Sequence, residues 1–304
     1  MSYSEFLPEA EFFDRLPLPA DPGSDRTLVI GPISVRLEAI PQHLLTPFDD
    51  HFLGFVGSNG KEAGLSLMLR RANAPKFLDA RGGLKRACLQ RAVGDRIYLY
   101  GHTFAAWFAR TGNQGMMALC RAGWPGLRVP LEIFLRVYCA WQAIERGGFL
   151  LHAASIVRDG RTYIFFGHSG AGKSTVSRLT GDSGFVLSDD ITLVTREADA
   201  YQAHSVPFRA FDKGRVVSER RTYPVAGLYQ LAQARRNRVE RLPAARAVAA
   251  VLSCLPFVTD NLLPNDPAQM MALLQRALAE IPAFRLEFTR SADFWEPVLA
   301  SSGR

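Results

Sequence analysis

The chain is poor in the features that mark membrane and secreted proteins. No apolar run in its 304 residues approaches the ~20 needed to span a bilayer, so no membrane association is expected. Met1–Glu9 carries no basic region followed by an apolar stretch, and no secretory signal is read there. Cysteine is scarce. Cys88, Cys120, Cys139 and Cys254 stand far apart without a C-x-x-C pair, which argues against a disulfide framework and against a zinc site. The expected compartment is the cytoplasm. Internal repeats and low-complexity tracts are missing, and no basic module interleaved with aromatics points to nucleic acid.

What remains is a chain able to bury a large core. A hydrophobic content of 48% with 11% aromatics suits a packed interior, and the length allows one large or two ordinary domains. The net charge of +7 is uneven. Residues 201–250 hold ten Lys and Arg against three Asp and Glu, so that stretch carries the whole excess. It reads either as an electropositive surface for an acidic partner or phosphorylated substrate, or as a plain solvated face.

Residues 1–125 read as strands and loops: Thr27–Ile30 and Ile33–Glu38 around a Gly-Pro turn, Leu65–Arg70 with apolar alternation, and Arg96–Tyr100 after the turn pair Gly94-Asp95. The expectation is an antiparallel, α+β accessory domain. His43, His51 and His102 are scattered and fit no ligand or relay spacing, so they are read as structural or surface residues. From Pro130 to Glu145 an apolar stripe of Leu131, Phe134, Val137, Tyr138, Trp141 and Ile144 predicts a helix, with Pro130 in its first turn and Gly147-Gly148 as its stop. Asp159-Gly160 between two apolar runs predicts a hairpin, so the strand Thr162–Phe166 pairs antiparallel with the one before it.

That strand runs into the stretch on which the rest of the reading turns. Gly167, Gly172, Lys173 and Ser174 complete G-x-x-x-x-G-K-[ST], with a strand before and a short helix, Lys173 to Leu179 or Thr180, after. Gly167, Gly170 and Gly172 admit backbone torsions that let successive N–H groups turn inward around an anion. Lys173 would reach the β/γ-phosphates of a nucleotide, and the Ser174 hydroxyl would ligate Mg²⁺. The whole loop, Gly167, His168, Ser169, Gly170, Ala171, Gly172, Lys173, Ser174 and Thr175, is the expected cradle. His168 sits at a variable position, and Ser169 offers one more hydroxyl.

Asp189 and Asp190 end the next strand, Phe185–Ser188, sixteen and seventeen residues after Lys173. A short helix and one strand return the chain beside the loop, where phosphoryl transfer needs a carboxylate for Mg²⁺ and another to take a proton from an alcohol acceptor. Ser174 and Asp190 are the expected metal ligands, and Asp189 or Asp190 the base. His152, in the strand paired with the one entering the loop, could orient or tune an aspartate. Further strands or helices are expected at 225–231, 244–255, 266–280 and 284–288, with Ser291 capping a closing helix. Asp199–Arg221 reads as a mobile loop over the site.

The pattern Leu151-His-Ala-Ala, a hairpin, Gly167 to Thr175, then Leu187-Ser-Asp-Asp190 resembles the C-terminal catalytic domain of HPr kinase/phosphorylase, and more closely the divergent HPr kinase-like proteins of bacteria, some of which modify ribosomal peptides. The fold around the nucleotide is also similar to phosphoenolpyruvate carboxykinase. The resemblance implies an α/β P-loop domain with a mixed sheet at residues 126–304, behind the 1–125 region. It implies ATP and Mg²⁺ held by Lys173 and Ser174, proton transfer and metal binding by Asp189 and Asp190, support from His152, a serine of a protein or peptide as acceptor, and a homo-oligomer. The family's downstream arginine-glycine signature would fall near Pro224–Tyr229 and does not match, which points away from HPr itself as acceptor. Arg209, Lys213 and Arg215 could serve as substrate-loop cations. The rival expectations are a nucleotide-binding regulatory protein without kinase activity and a small-molecule kinase.

Overall fold

A computed structural model describes residues 10–18, 23–57, 63–73, 76–78, 88–181, 184–208, 219–256 and 267–302. The chain divides into two compact units, one of Met1–Tyr138 and one of Cys139–Val258 with Leu263–Arg304.

The first unit contains α1 (Ala10–Asp14), β1 (Ser24–Ile30), β2 (Ile33–Ile40), α2 (Leu45–His51), β3 (Val56–Gly57), β4 (Leu65–Arg71), β5 (Leu89–Val93), β6 (Arg96–Tyr100), β7 (Phe104–Ala109), β8 (Gln114–Leu119) and most of α3 (Trp124–Glu145). Among the described residues its eight strands lie in the order β3-β1-β2-β4-β8-β7-β6-β5. The two turn pairs make hairpins: β1 with β2, and β5 with β6, where Val93 faces Arg96 across Gly94-Asp95. The sheet is not all antiparallel. β4 runs parallel to both β2 and β8, since each is joined to it by a long connection rather than a tight turn.

α3 starts six residues earlier than the sequence suggests, so Pro130 is inside the helix and Pro125 takes the first-turn role. Pro130 has no N–H to give to the carbonyl one turn back, so α3 runs on past it with that one backbone bond missing. The stop is as expected: Gly147, at φ 67°, and Gly148, whose N–H donates to the Ala143 carbonyl at 2.8 Å. Within this unit Phe134 and Tyr138 meet Phe108 edge-on, and His51 Nε2 lies 2.8 Å from Glu132 Oε1, a structural role for that histidine. Burial raises the Glu132 carboxyl, but His51 and the neighbouring arginines outweigh it and hold the group below its ordinary range.

The second unit continues with β9 (Phe149–Arg158), β10 (Arg161–Phe166), α4 (Lys173–Leu179), β11 (Phe185–Ser188), β12 (Ile191–Glu197), β13 (Ala200–His204), β14 (Thr222–Gln233), β15 (Arg238–Arg241), α5 (Ala244–Leu252), α6 (Pro267–Glu280), β16 (Ala283–Phe288) and α7 (Trp295–Ser302). Its sheet is mixed: β10 is antiparallel to β9 on one side and parallel to β14 on the other. Alternation along β10 feeds two cores. Ile164 and Phe166 join the face covered by α5 and α6, while Tyr163 and Phe165 join the face holding Val176, Phe294, Trp295 and Val298. Fully burying each of these side chains is worth roughly 2–3 kcal/mol, so the strand that leads to the loop is held from both sides. Ser291 accepts from the Asp293 N–H and caps the one-turn helix ahead of α7, as expected.

The expected loop at Asp199–Arg221 is partly a strand. β13 fills 200–204 and pairs with β12 and β14. Tyr201 and Ala203 supply the buried alternation, and His204 hides the pattern by being buried too. Arg209, Lys213, Arg215 and Asp266 lie outside the described residues. Among the described residues no helix is long and apolar enough to cross a membrane.

Candidate functional site

Sheet register brings the separate sequence signals to one edge. Phe166, the last residue of β10, faces Ala153 of β9 and Gln230 of β14. The Ala153 N–H in turn donates to the Asp190 carbonyl at 3.0 Å. Gln230, Phe166 and Ala153 therefore form a row across three strands, with Asp190 beside Ala153. At ~4.8 Å per strand, the backbone of Asp190 stands about 10 Å from the point where the chain enters Gly167. Asp189 and Asp190 occupy the gap between β11 and β12, which both run antiparallel along β9. Both aspartates are half-buried.

The turn at Gly167–Thr175 is shaped by close approach. Gly172, at φ 116°, precedes α4, and a Cβ there would come within 2.4 Å of the Phe288 ring at the end of β16. Val176 N–H donates to the Gly172 carbonyl and opens the helix. The Gln233 amide, at the end of β14, donates to the Gly170 carbonyl at 2.8 Å and ties the outer part of the turn to the sheet. His168, Ser169, Gly170 and Ser174 are exposed, and Thr175 is half-buried.

Lys173 is the buried cation of the site. Its Nζ donates to the Gly167 carbonyl at 2.8 Å and the His168 carbonyl at 3.3 Å, crossing the turn from inside. Burial pushes its pKa down, and the nearby Cys254 and Asp190 partly oppose that. That coupling links the turn to the acid side. There His152 Nδ1 lies 3.2 Å from Asp190 Oδ1 and 3.0 Å from the Asp190 carbonyl, and Ile191 faces His152 in register. The His152 N–H donates to the Cys254 carbonyl at 2.9 Å, which brings the end of α5 beside the pair.

The structure thus gathers Lys173, Asp190 and His152, with Asp189 adjacent to Asp190 in the chain. Three residues that the sequence did not single out belong beside them. Cys254 gave no signal because a lone cysteine after a helix carries no motif. Gln233 and Phe288 mark strand ends, which only the sheet register brings to the loop. The basic stretch also gains a place. Exposed Arg235 and Arg236 follow Gln233 after Ala234, in the turn after β14. Among the described residues no group of three or more His, Cys, Asp or Glu could by itself enclose a metal ion.

The family model described as "SynChlorMet cassette protein ScmC" matches residues 131–299, more than half of the chain, and the chain belongs to that family. Among solved structures, the Hpr(Ser) kinase/phosphatase from Coxiella burnetii is similar over 51% of this chain and 90% of that one, at 13% identity and a TM-score of 0.30. Among curated proteins no sequence matches.

Proposed function

We propose that this chain is a Mg²⁺-ATP-dependent kinase that transfers the γ-phosphoryl group to a serine hydroxyl of a protein or peptide. One observation carries the reading. The His152–Asp190 pair stands level with the G-x-x-x-x-G-K-S turn, because Ala153 faces Phe166 at the entry to the turn and its N–H binds the Asp190 carbonyl. The residues suit a nucleotide phosphate and its metal. Gly170 and Gly172 have the positive φ that turns backbone N–H groups inward, and Lys173 is a largely desolvated cation. Mg²⁺ takes one or two carboxylates plus phosphate oxygens, so it needs no cage of protein ligands.

In this reading Ser174 and Asp190 hold the metal, and the backbone of Gly167–Thr175 with Lys173 holds the phosphates. Bound Mg²⁺-ATP supplies the phosphoryl group and the charge neutralisation that transfer requires. The chain's own residues position. Lys173 exchanges the carbonyls of Gly167 and His168 for phosphate oxygens. His152 fixes the orientation of the Asp190 carboxylate through Nδ1, and Asp189 receives the proton of the acceptor hydroxyl. Arg235 and Arg236 give an acidic acceptor segment an electropositive approach.

The test is transfer of label from γ-labelled ATP to proteins of the host lysate and to candidate serine peptides. Lys173→Ala is expected to lower turnover by at least about 10²-fold, as loss of an aimed charge does in a sheltered site. Asp189→Asn and Asp190→Asn should impair transfer more than nucleotide binding. Wild-type turnover in all three variants would sink the assignment. Tight ATP binding without transfer to any acceptor would favour a regulatory nucleotide-binding protein, and transfer to a small alcohol would favour a small-molecule kinase.

A further inference from the structure

The first unit carries a cavity of about 410 Å³ that none of the chemistry above uses. It opens where β4 and β8 end in register, Arg71 facing Leu119. Its floor is apolar: Leu44, Leu69 and Leu127 are each less than a tenth exposed. Its rim is cationic, with Arg70, Arg71 and Arg121. Among the described residues none of these three guanidinium groups has an ion-pair partner. Ala122 and Gly123 also line the cavity and lead into Trp124, so the positive end of the 22-residue α3 dipole lies at the same rim.

A closed hydrocarbon pocket would gain nothing from three arginines around it, and an anion site would not need a leucine floor. Together they match one kind of occupant, with an apolar body below and a carboxylate-like head above. Guanidinium groups bind such a head through paired N–H donors. The size fits a small molecule, since ligand cavities run from about 300 to 1,000 Å³ and bury most of their ligand. We propose that this cavity binds a small amphipathic anion with an alkyl or aryl body of roughly ten carbons. The site stands independently of the kinase reading, because it is built wholly from residues of the first unit.

The experiment is calorimetric titration of the full chain with decanoate below its micelle concentration, beside decanol as the uncharged probe of equal length. One equivalent of decanoate should bind, decanol should bind about tenfold more weakly or worse, and decanoate affinity should fall as salt screens the exposed rim. A triple Arg70→Gln, Arg71→Gln, Arg121→Gln variant should lose at least about tenfold in decanoate affinity, because the charged hydrogen bonds go, while decanol is unaffected. Leu119→Trp, which fills the cavity and leaves the charges in place, should block both probes. Melting temperature and circular dichroism confirm that each variant is folded. Equal binding of the two probes, several equivalents of decanoate, or unchanged affinity in the triple variant would overturn the proposal. So would failure of decanoate to bind where an acidic peptide binds with the same arginine dependence, since the occupant would then be a peptide.

Discussion

Two histidines in the sheet of the second unit occupy opposite environments. His152, on β9, has a side chain 41% exposed and touches the carboxylate of Asp190. His204, on β13, has a side chain 1% exposed and is held between hydroxyls, Thr195 Oγ1 at 2.7 Å from Nε2 and Thr222 Oγ1 at 3.0 Å from Nδ1. The nearest carboxylate, Glu197, is 3.5 Å away and partly in solvent. Burial pushes the His204 pKa down to about 4, so this imidazole is neutral across the physiological range. The same residue type is therefore a partner for charge in one strand and a neutral hydrogen-bonding strut in another. The first can affect chemistry without much effect on stability, and the second the reverse.

Exchanging the two losses gives the largest contrast. Under the kinase reading, His152→Gln should lower the transfer rate by about 10- to 100-fold, the usual cost of removing a group that orients a metal ligand, with little change in melting. His204→Ala should leave the rate per folded molecule intact. It should cost about 2–4 kcal/mol of stability, since it opens a cavity and takes away the imidazole partner of the buried Thr195 hydroxyl. Rate measurements on protein whose folded fraction is known from urea titration separate the outcomes. If His204→Ala stops transfer while His152→Gln only destabilises, the comparison fails.

A pH series tests the same contrast through one residue. In the folded chain His204 takes up its proton near pH 4, and in the unfolded chain near its ordinary 6.5. Between those values the unfolded state binds more protons, so stability falls as pH drops from 6.5 towards 4 and levels off below. The full loss from this group is about 3 kcal/mol, and above pH 6.5 it contributes no slope. Urea midpoints across that window should show the acid limb in the wild type and a shallower one in His204→Gln. An unchanged limb in the variant would place the acid sensitivity elsewhere.

The strand, turn and helix from Thr162 to Leu179 were legible because three independent local rules coincide there: an apolar strand, glycines at fixed spacing and a helix-forming run. The Asp159-Gly160 hairpin was equally local, and so was the capped end of α3. What could not be read depends on distant pairing. The parallel placement of β4 follows from which strands meet across long connections, and no residue within Leu65–Arg71 encodes it. Pro130 misled because the helix starts earlier, at Trp124, where Pro125 already fills the first turn and leaves Pro130 inside. β13 was missed because a histidine satisfied by two threonines looks polar in sequence and behaves as core in the fold. The meeting of His152 and Asp190 was expected, but Gln233, Cys254 and Phe288 reach the site only through sheet register and the end of α5.

Gln233 sharpens the contrast with the smallest effect. It is a third polar residue of the same sheet, and its side-chain amide holds the Gly170 carbonyl. It is exposed, and among the described residues its side chain makes no bond to Asp190. Its amide limits how far the outer turn can open, and under the kinase reading a looser turn would have to be ordered each time a nucleotide bound. Losing one exposed hydrogen bond costs about 1 kcal/mol, so Gln233→Ala should weaken ATP binding about fivefold. The rate at saturating ATP should stay within about twofold, because an effect confined to ground-state binding leaves kcat alone. Calorimetric Kd and single-turnover transfer on the same preparation separate the two terms. A fall in kcat matching that of His152→Gln would mean that Gly170 must be held for chemistry as well as for binding, and the division of labour across the sheet would have to be redrawn.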